Sequence, residues 1–178
     1  MAKIVIITQA RLQSSRFPRK VLKKIGDKSL LQIHLERLKK SKYGSNLVVA
    51  STYEEGIEEL LDIVKNLNIY NFQGSTENVL DRFYQAAKSH KPDFVVRVTS
   101  DCPLIDPILV DEIIEYALSI KKDYVSNTLV EAFPDGQDIE VFKFRSLETA
   151  WKNATSNHER EHVTPYIRNN STFFRGNE

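Results

Sequence analysis

Residues 3–8 read Lys-Ile-Val-Ile-Ile-Thr, a nearly continuous β-branched apolar run with no polar face. A strand that is apolar on both sides must be covered on both, and such strands belong to parallel sheets layered by helices. The run therefore predicts a buried, central first strand. The segments that follow sustain this reading. Ser29 and Gln32 form a capping box ahead of an apolar stripe at Leu31, Leu35 and Leu38 that runs through Lys40. A second strand is expected over 46–50, and a helix over about 54–66 carries Ile57, Leu60, Leu61, Val64 and Leu67 inward. A short third strand covers 69–72. Thr76 is placed to cap a helix with Val79, Leu80, Phe83 and Ala87 on its inner face, and Pro92-Asp93 punctuates the chain before a strand over 94–98. Asp106 caps, and Pro107 begins, a helix burying Ile113, Ile114, Ala117 and Leu118, with a strand over 124–126 after it.

Repeated βα units with right-handed crossovers place helices on both faces and functional loops at the carboxyl ends of the strands. The expected fold is a three-layer α/β/α arrangement with a mostly parallel sheet. Beyond it, Asp135-Gly136 marks a turn, 139–144 alternates as a strand, and helices are expected over about 147–152 and 158–168. Residues 169–178 are polar apart from Phe173-Phe174, and neither helix nor strand is expected there.

The 178 residues suit one domain, 1–178, long enough to bury roughly 70% of the unfolded surface. With 41% apolar and 28% charged residues, disorder and collagen-like repeats are excluded. A net charge of +1 provides no overall field for nucleic acid or anionic membrane, so any anion must be held by a local cluster. Cys102 is the only cysteine, which rules out an intramolecular disulfide and a Cys-rich zinc site. No run is long enough to span a membrane, the first residues lack a signal-peptide pattern, and a cytoplasmic location is the default expectation.

Two segments carry chemistry. Residues 9–20 place Arg11, Arg16, Arg19 and Lys20 just past the most buried strand. Separated cations, hydroxyls and free backbone N–H groups can surround a polyphosphate; a solvated basic loop is the other reading, and position alone does not choose between them. Neither a P-loop nor a Gly-x-Gly-x-x-Gly fingerprint is present. Past the strand over 94–98, Asp101 could hold a divalent ion, since magnesium takes one or two carboxylates with water and phosphate oxygens; an ordinary turn former is the alternative.

Four ordered segments resemble a known family. Ala10-Arg11-x-x-Ser14-x-Arg16-Phe17-Pro18-x-Lys20-Val21-Leu22 resembles the opening motif of the sugar-activating cytidylyltransferases, which make CMP-activated acidic sugars, and Asp101-Cys102-Pro103-Leu104 resembles their metal-binding turn. Residues 75–83, Ser-Thr-Glu-Asn-Val-Leu-Asp-Arg-Phe, and 159–166, Glu-Arg-Glu-His-Val-Thr-Pro-Tyr, are most similar to the spore coat polysaccharide biosynthesis protein F family. The resemblance covers nearly the whole chain and implies a nucleotide-diphospho-sugar transferase-like fold.

It further implies that Ala10, Arg11, Ser14, Arg16 and Lys20 line the triphosphate of CTP, with Ser51 and Thr52 near the base or ribose and Asn78 and Arg82 reaching towards the nucleotide. Asp101 would bind Mg²⁺, and Asp135, Gln137, Asp138 and Glu140 would border the sugar pocket. Arg11, Arg16, Lys20 and Asp101 would carry the catalysis, and a homodimer is the expected assembly. Gln13 and Arg19 stand where the family commonly has a small residue. The family continues to a Val-Asp-Thr-Pro-Glu-Asp-Leu-like segment whose first Asp is expected to help bind metal. The sequence stops at Glu178 before any such segment, so the expectation is a truncated chain or altered chemistry, with Asp138 as the substitute ligand. An inactive nucleotide-binding module is the first alternative; a nucleotide-sugar glycosyltransferase is the second, although the chain has no Asp-x-Asp pair.

His158 and His162 spell His-Glu-x-x-His, but Arg160 between them and the lack of an evident third ligand disfavour a zinc protease. His162 is expected at the surface or against substrate, His34 packed on its helix stripe, and His90 exposed. Cys102, followed by Pro103, reads as a small packing residue, and Trp151, Phe142, Phe144 and Tyr166 as core rather than as stacking platforms.

Overall fold

The computed structural model describes residues 2–13, 17–128, 130 and 132–170, with the backbone of Arg175 and Gly176. The chain runs through β1 (Ile4–Ala10), a 3-10 turn (Lys20–Leu22), the small hairpin β2 (Lys24–Ile25) and β3 (Lys28–Ser29), α1 (Leu30–Leu38), β4 (Leu47–Thr52), α2 (Glu58–Asn66) and β5 (Tyr70–Gly74). It continues through α3 (Val79–Lys88), β6 (Phe94–Thr99), α4 (Pro107–Ile120), β7 (Tyr124–Ser126), β8 (Glu140–Lys143), α5 (Phe144–Asn153), α6 (Asn157–His162), α7 (Pro165–Asn169) and β9 (Arg175–Gly176). The main sheet has the order β5-β4-β1-β6-β8-β7-β9. β1 sits inside it, parallel to β4 and β6.

The alternation of β1 divides the core into two layers. Ile4 and Ile6 pack with Leu31, Leu35, Leu60 and Ile114 from α1, α2 and α4. Val5 and Ile7 point the other way, to Leu80, Phe83, Leu147 and Ala150 from α3 and α5. The three-layer, mostly parallel expectation is met. Ser29 caps α1 by accepting from the Gln32 N–H, and Asp106 caps α4 by accepting from Ile108, with Pro107 in the first turn.

Several details depart from the sequence reading. α2 starts at Glu58 rather than near 54, after Gly56 takes a left-handed turn at φ 75°. Asn78, not Thr76, caps α3. The strand expected over 139–144 ends at Lys143, and Phe144 opens α5. β8 runs antiparallel to both β6 and β7, and the described residues between β7 and β8 form no crossover helix. The helix expected over 158–168 breaks into α6 and α7 at Val163 (φ 69°), just before Pro165, which has no N–H to continue the ladder. A short parallel strand, β9, pairs with β7 where no element was expected.

His34 ties the first layer to the sheet edge. Its Nδ1 lies 2.9 Å from the Cys102 carbonyl, which can only accept, so Nδ1 carries the proton. Nε2, 3.0 Å from the Thr8 hydroxyl, then accepts. The ring is fully buried, and that burial pushes its pKa down to about 4, against the pull of the Cys102 carbonyl and the Asp101 charge. Between the ordinary histidine value of about 6.5 and this one the unfolded chain binds the extra proton. The stabilisation is thus complete above about pH 6.5 and is lost as pH falls towards 4, a loss of about 3 kcal/mol. Urea unfolding at pH 7, 5.5 and 4 should show this decline in the wild type and a correspondingly flatter one in His34→Gln; parallel declines would remove His34 as its source.

Candidate active site

Parallel pairing sets Ala10 beside Ser51 and Gln9 beside Thr99, so the loops leaving β1, β4 and β6 share one edge of the sheet. A cavity of about 350 Å³ opens there, and Ala10, Arg11, Lys20, Arg82 and Asp101 all contribute to its wall. Lys20 and Asp101, 81 positions apart, meet with Nζ 3.2 Å from Oδ2. Partial burial works against ionisation of Asp101, but the hydrogen bond and charge of Lys20, with help from the Thr99 hydroxyl and a backbone N–H, hold its carboxyl below the usual range. Lys20 and Asp101 thus share the wall of one cavity. Ser14 and Arg16 lie outside the described residues.

Arg82 rises from α3 into the same cavity. Its side chain is almost wholly buried, yet it forms no ion pair among the described residues. One guanidinium nitrogen donates to the Ser75 carbonyl, while the buried Nε has no partner among the described residues. Burial first, and then the charge of Arg11, lower its pKa to about 10, with Glu54 pulling the other way. Gly74 makes room for the stem: a Cβ there would stand 2.9 Å from the Arg82 Cγ and 3.0 Å from the Phe72 ring. Two guanidinium groups, of Arg11 and Arg82, thus contribute to the wall of one cavity.

Glu54 joins the site without any signal in the local sequence. Its carboxylate accepts from the backbone N–H groups of Leu12 (2.8 Å) and Gln13 (3.0 Å) and from the Thr52 hydroxyl, pinning the start of the loop after β1. The Thr52 hydroxyl is used internally by this contact and is fully buried. Ser51, beside Ala10 at the same edge, is fully buried and donates to Asn71 at 2.9 Å. Asn78 caps α3 by accepting from Asp81, and it also borders a neighbouring cavity of about 470 Å³ with Arg11, Glu77, Arg160 and Glu161.

A third cavity, about 390 Å³, adjoins the first through Thr99 and His162, and Arg97, Asp138, Glu140, His158 and Arg168 complete its charged lining. Glu140 borders it as expected, but its carboxylate is spoken for: Arg97 donates to one oxygen and the Tyr124 hydroxyl to the other at 2.6 Å. Gln137 departs from the expectation of a sugar contact. Its side-chain amide accepts from the Asp106 N–H at 2.8 Å and donates to the Leu104 carbonyl at 2.9 Å, so both polar ends bind backbone. Asp135 is exposed. Asp138 is also exposed, and its pKa is raised, by desolvation first and then by the charges of Asp135, Glu140 and Asp101, which Arg97 only partly offsets.

The His158 and His162 rings lie 4.6 Å apart between centroids, tilted by 54°, and among the described residues no group of three or more His, Cys, Asp or Glu is arranged to hold a metal. Arg97 had a signal in the sequence, a lone cation within an apolar strand; Arg168 had none. Trp151 stacks on Tyr84 at 4.2 Å and donates to Asp81, which makes it core, as does the full burial of Phe142. No helix among the described residues is long and apolar enough to cross a membrane.

The sequence and the fold both have relatives. An uncharacterized protein of Methanocaldococcus jannaschii is 44% identical over 173 residues, which are 97% of this chain and 70% of that protein. The spore coat polysaccharide biosynthesis protein SpsF of Bacillus subtilis is 34% identical over 180 residues, 98% of this chain and 74% of that one. A solved cytidylyltransferase from Leptospira borgpetersenii serovar Hardjo-bovis superposes with a TM-score of 0.93 at 34% identity, across all of this chain and 77% of the other. Residues 4–177 match the family model for cytidylyltransferases. With the sheet order, the cation-lined edge and these relatives in agreement, the chain belongs to the cytidylyltransferase family.

Proposed function

We propose that this protein transfers CMP from CTP to a hydroxyl of an acidic or amino sugar, with release of pyrophosphate, in surface polysaccharide biosynthesis. The observation that carries the reading is Arg82, a buried guanidinium with an unpartnered Nε and no ion pair among the described residues, beside Arg11 at the sheet edge. A buried cation without an internal counter-ion costs several kcal/mol, and an anionic ligand is the natural partner to offset it. The family supports CTP as the nucleotide, and the name of the Bacillus subtilis relative supports the polysaccharide setting.

In this reading the sugar hydroxyl attacks the α-phosphorus in line, the bond to the bridging oxygen of pyrophosphate breaks, and the hydroxyl proton leaves to water. Arg11, Arg82 and Lys20 sit where negative charge accumulates on the phosphates, and fixed cations in a sheltered site stabilise that charge without reorganising. The sugar occupies the adjoining cavity, where Arg168, His158 and His162 face a carboxylated or hydroxylated ring and Glu140 keeps Arg97 in place. Asp101 and Asp138 fit a hard divalent cation such as Mg²⁺: both are oxygen donors, and the charge of Asp101 is among those that raise the Asp138 pKa. Bound there, the ion would neutralise phosphate charge.

Arg82→Met should leave the fold as stable as the wild type or more so, by roughly 1–3 kcal/mol in urea unfolding, while abolishing the thermal shift produced by CTP. A variant that is destabilised and still binds CTP would remove Arg82 from the site. A thermal-shift panel of the four NTPs, with and without Mg²⁺, should single out CTP with the ion, and pyrophosphate release in the presence of sugar acids should fall about 10²-fold in Lys20→Ala. Binding of CTP with no turnover on any sugar acid or amino sugar would favour the inactive-module reading.

A further inference from the structure

The turn between β6 and α4 carries Asp101 but does little to hold its own shape. Pro103 supplies no donor, and the internal bonds from the Cys102 N–H to Thr99 and from the Ile105 N–H to Cys102 are both long, at 3.3 Å. Three side chains from outside complete it. His34 donates to the Cys102 carbonyl at 2.9 Å, Arg37 donates through Nε to the Ile105 carbonyl at 2.7 Å, and Gln137 bonds both the Leu104 carbonyl and the Asp106 N–H. His34 and Arg37 belong to α1, whereas Gln137 comes from the segment leading into β8.

Gln137 has a particular place among them. Its amide offers a donor and an acceptor in a single plane, and it reads two backbone groups two residues apart as a strand neighbour would. It is itself anchored: its N–H donates to the Pro134 carbonyl, and its carbonyl accepts from the Asn127 side chain at 2.7 Å, while the Asn127 amide oxygen accepts from the Ile139 N–H. The next residue is Asp138, whose carboxylate feels the charge of Asp101.

We propose that Gln137, assisted by His34 and Arg37, is a positioning residue for Asp101, fixing the turn that presents its carboxylate to the wall of the first cavity. The inference rests on the reading of Asp101 given above. A positioning bond of this kind acts on geometry, so its loss should appear in turnover and ion affinity more than in nucleotide binding.

The test compares Gln137→Met, which keeps the length and removes both hydrogen bonds, with Asp101→Asn and with the double variant. Pyrophosphate release is measured against CTP concentration, and Mn²⁺ binding in the presence of CTP is followed by electron paramagnetic resonance. Gln137→Met should lower kcat about tenfold or more with KM for CTP within about twofold, and weaken Mn²⁺ binding about fivefold or more. The double variant should be no slower than Asp101→Asn, because Gln137 acts through Asp101. Independent, multiplying losses would overturn the proposal, as would wild-type kcat in Gln137→Met beside an inactive Asp101→Asn. Wild-type turnover in Asp101→Asn would instead remove the reading of Asp101 and this inference with it. Should Gln137→Met not fold, Arg37→Met, which frees Ile105 from the opposite side, carries the same comparison with the same outcomes.

Discussion

A strand without a polar face has to be sheltered from both sides, and that demand on β1 organises the molecule. Helices on one side collect Ile4 and Ile6, and those on the other collect Val5 and Ile7. With β4 and β6 held parallel on either flank, every chain segment leaving these three strands emerges at one edge. The proximity of Lys20 to Asp101 is a consequence of register rather than of any affinity between two exposed side chains. The same edge receives Arg82 from one helical layer and, through the Cys102 carbonyl, His34 from the other. Both layers of the core therefore converge on the site.

The parallel half of the sheet was legible because its signals are local: β-branched runs for strands, stripes at helical spacing for α1 to α4, and side-chain caps at Ser29 and Asp106. The direction of β8 was not, since it depends on the connection from β7, whose described residues form no crossover helix. Pro165 did announce the break between α6 and α7, and the apolar spacing around it obscured the message. At the site, the family resemblance singled out Arg11, Lys20 and Asp101; their position past the ends of buried strands left a solvated loop and an ordinary turn equally open. Ser51 and Thr52 could not be judged from sequence: the direction of a hydroxyl follows from the pleat and from which acceptor is nearest, here Asn71 and Glu54. Glu54 and Arg168 had no local signature.

Carboxylates near the edge divide by whether the fold has already satisfied them. Glu54 accepts two backbone N–H groups and a hydroxyl, and Glu140 accepts from Arg97 and the buried Tyr124, whose own ionisation is pushed far up by burial and by that neighbouring charge. Such groups are scaffold, since drawing one towards a ligand would strand buried donors at about 1–3 kcal/mol each. Asp138 has no such dedicated set and bears the repulsion of three other carboxylates, which favours a cation as its neighbour. Burial and partner count thus separate the acidic residues that hold the site from those that can serve it.

The Asp101 carboxylate lies between these groups: Thr99 and a backbone N–H bond to it, while its contact with Lys20 is open to solvent. Both side chains are about half exposed, and an ion pair in that setting contributes on the order of 0–1 kcal/mol. Either partner can be released to a phosphate oxygen or a divalent ion at little cost. The backbone beneath Asp101, by contrast, is fastened by three separate side chains, two of them bonding to half-buried carbonyls. A fastened turn bearing an exchangeable carboxylate suits a site that must meet charged ligands at a sheet edge: the position of the oxygen donors is set in advance, while their partner can change.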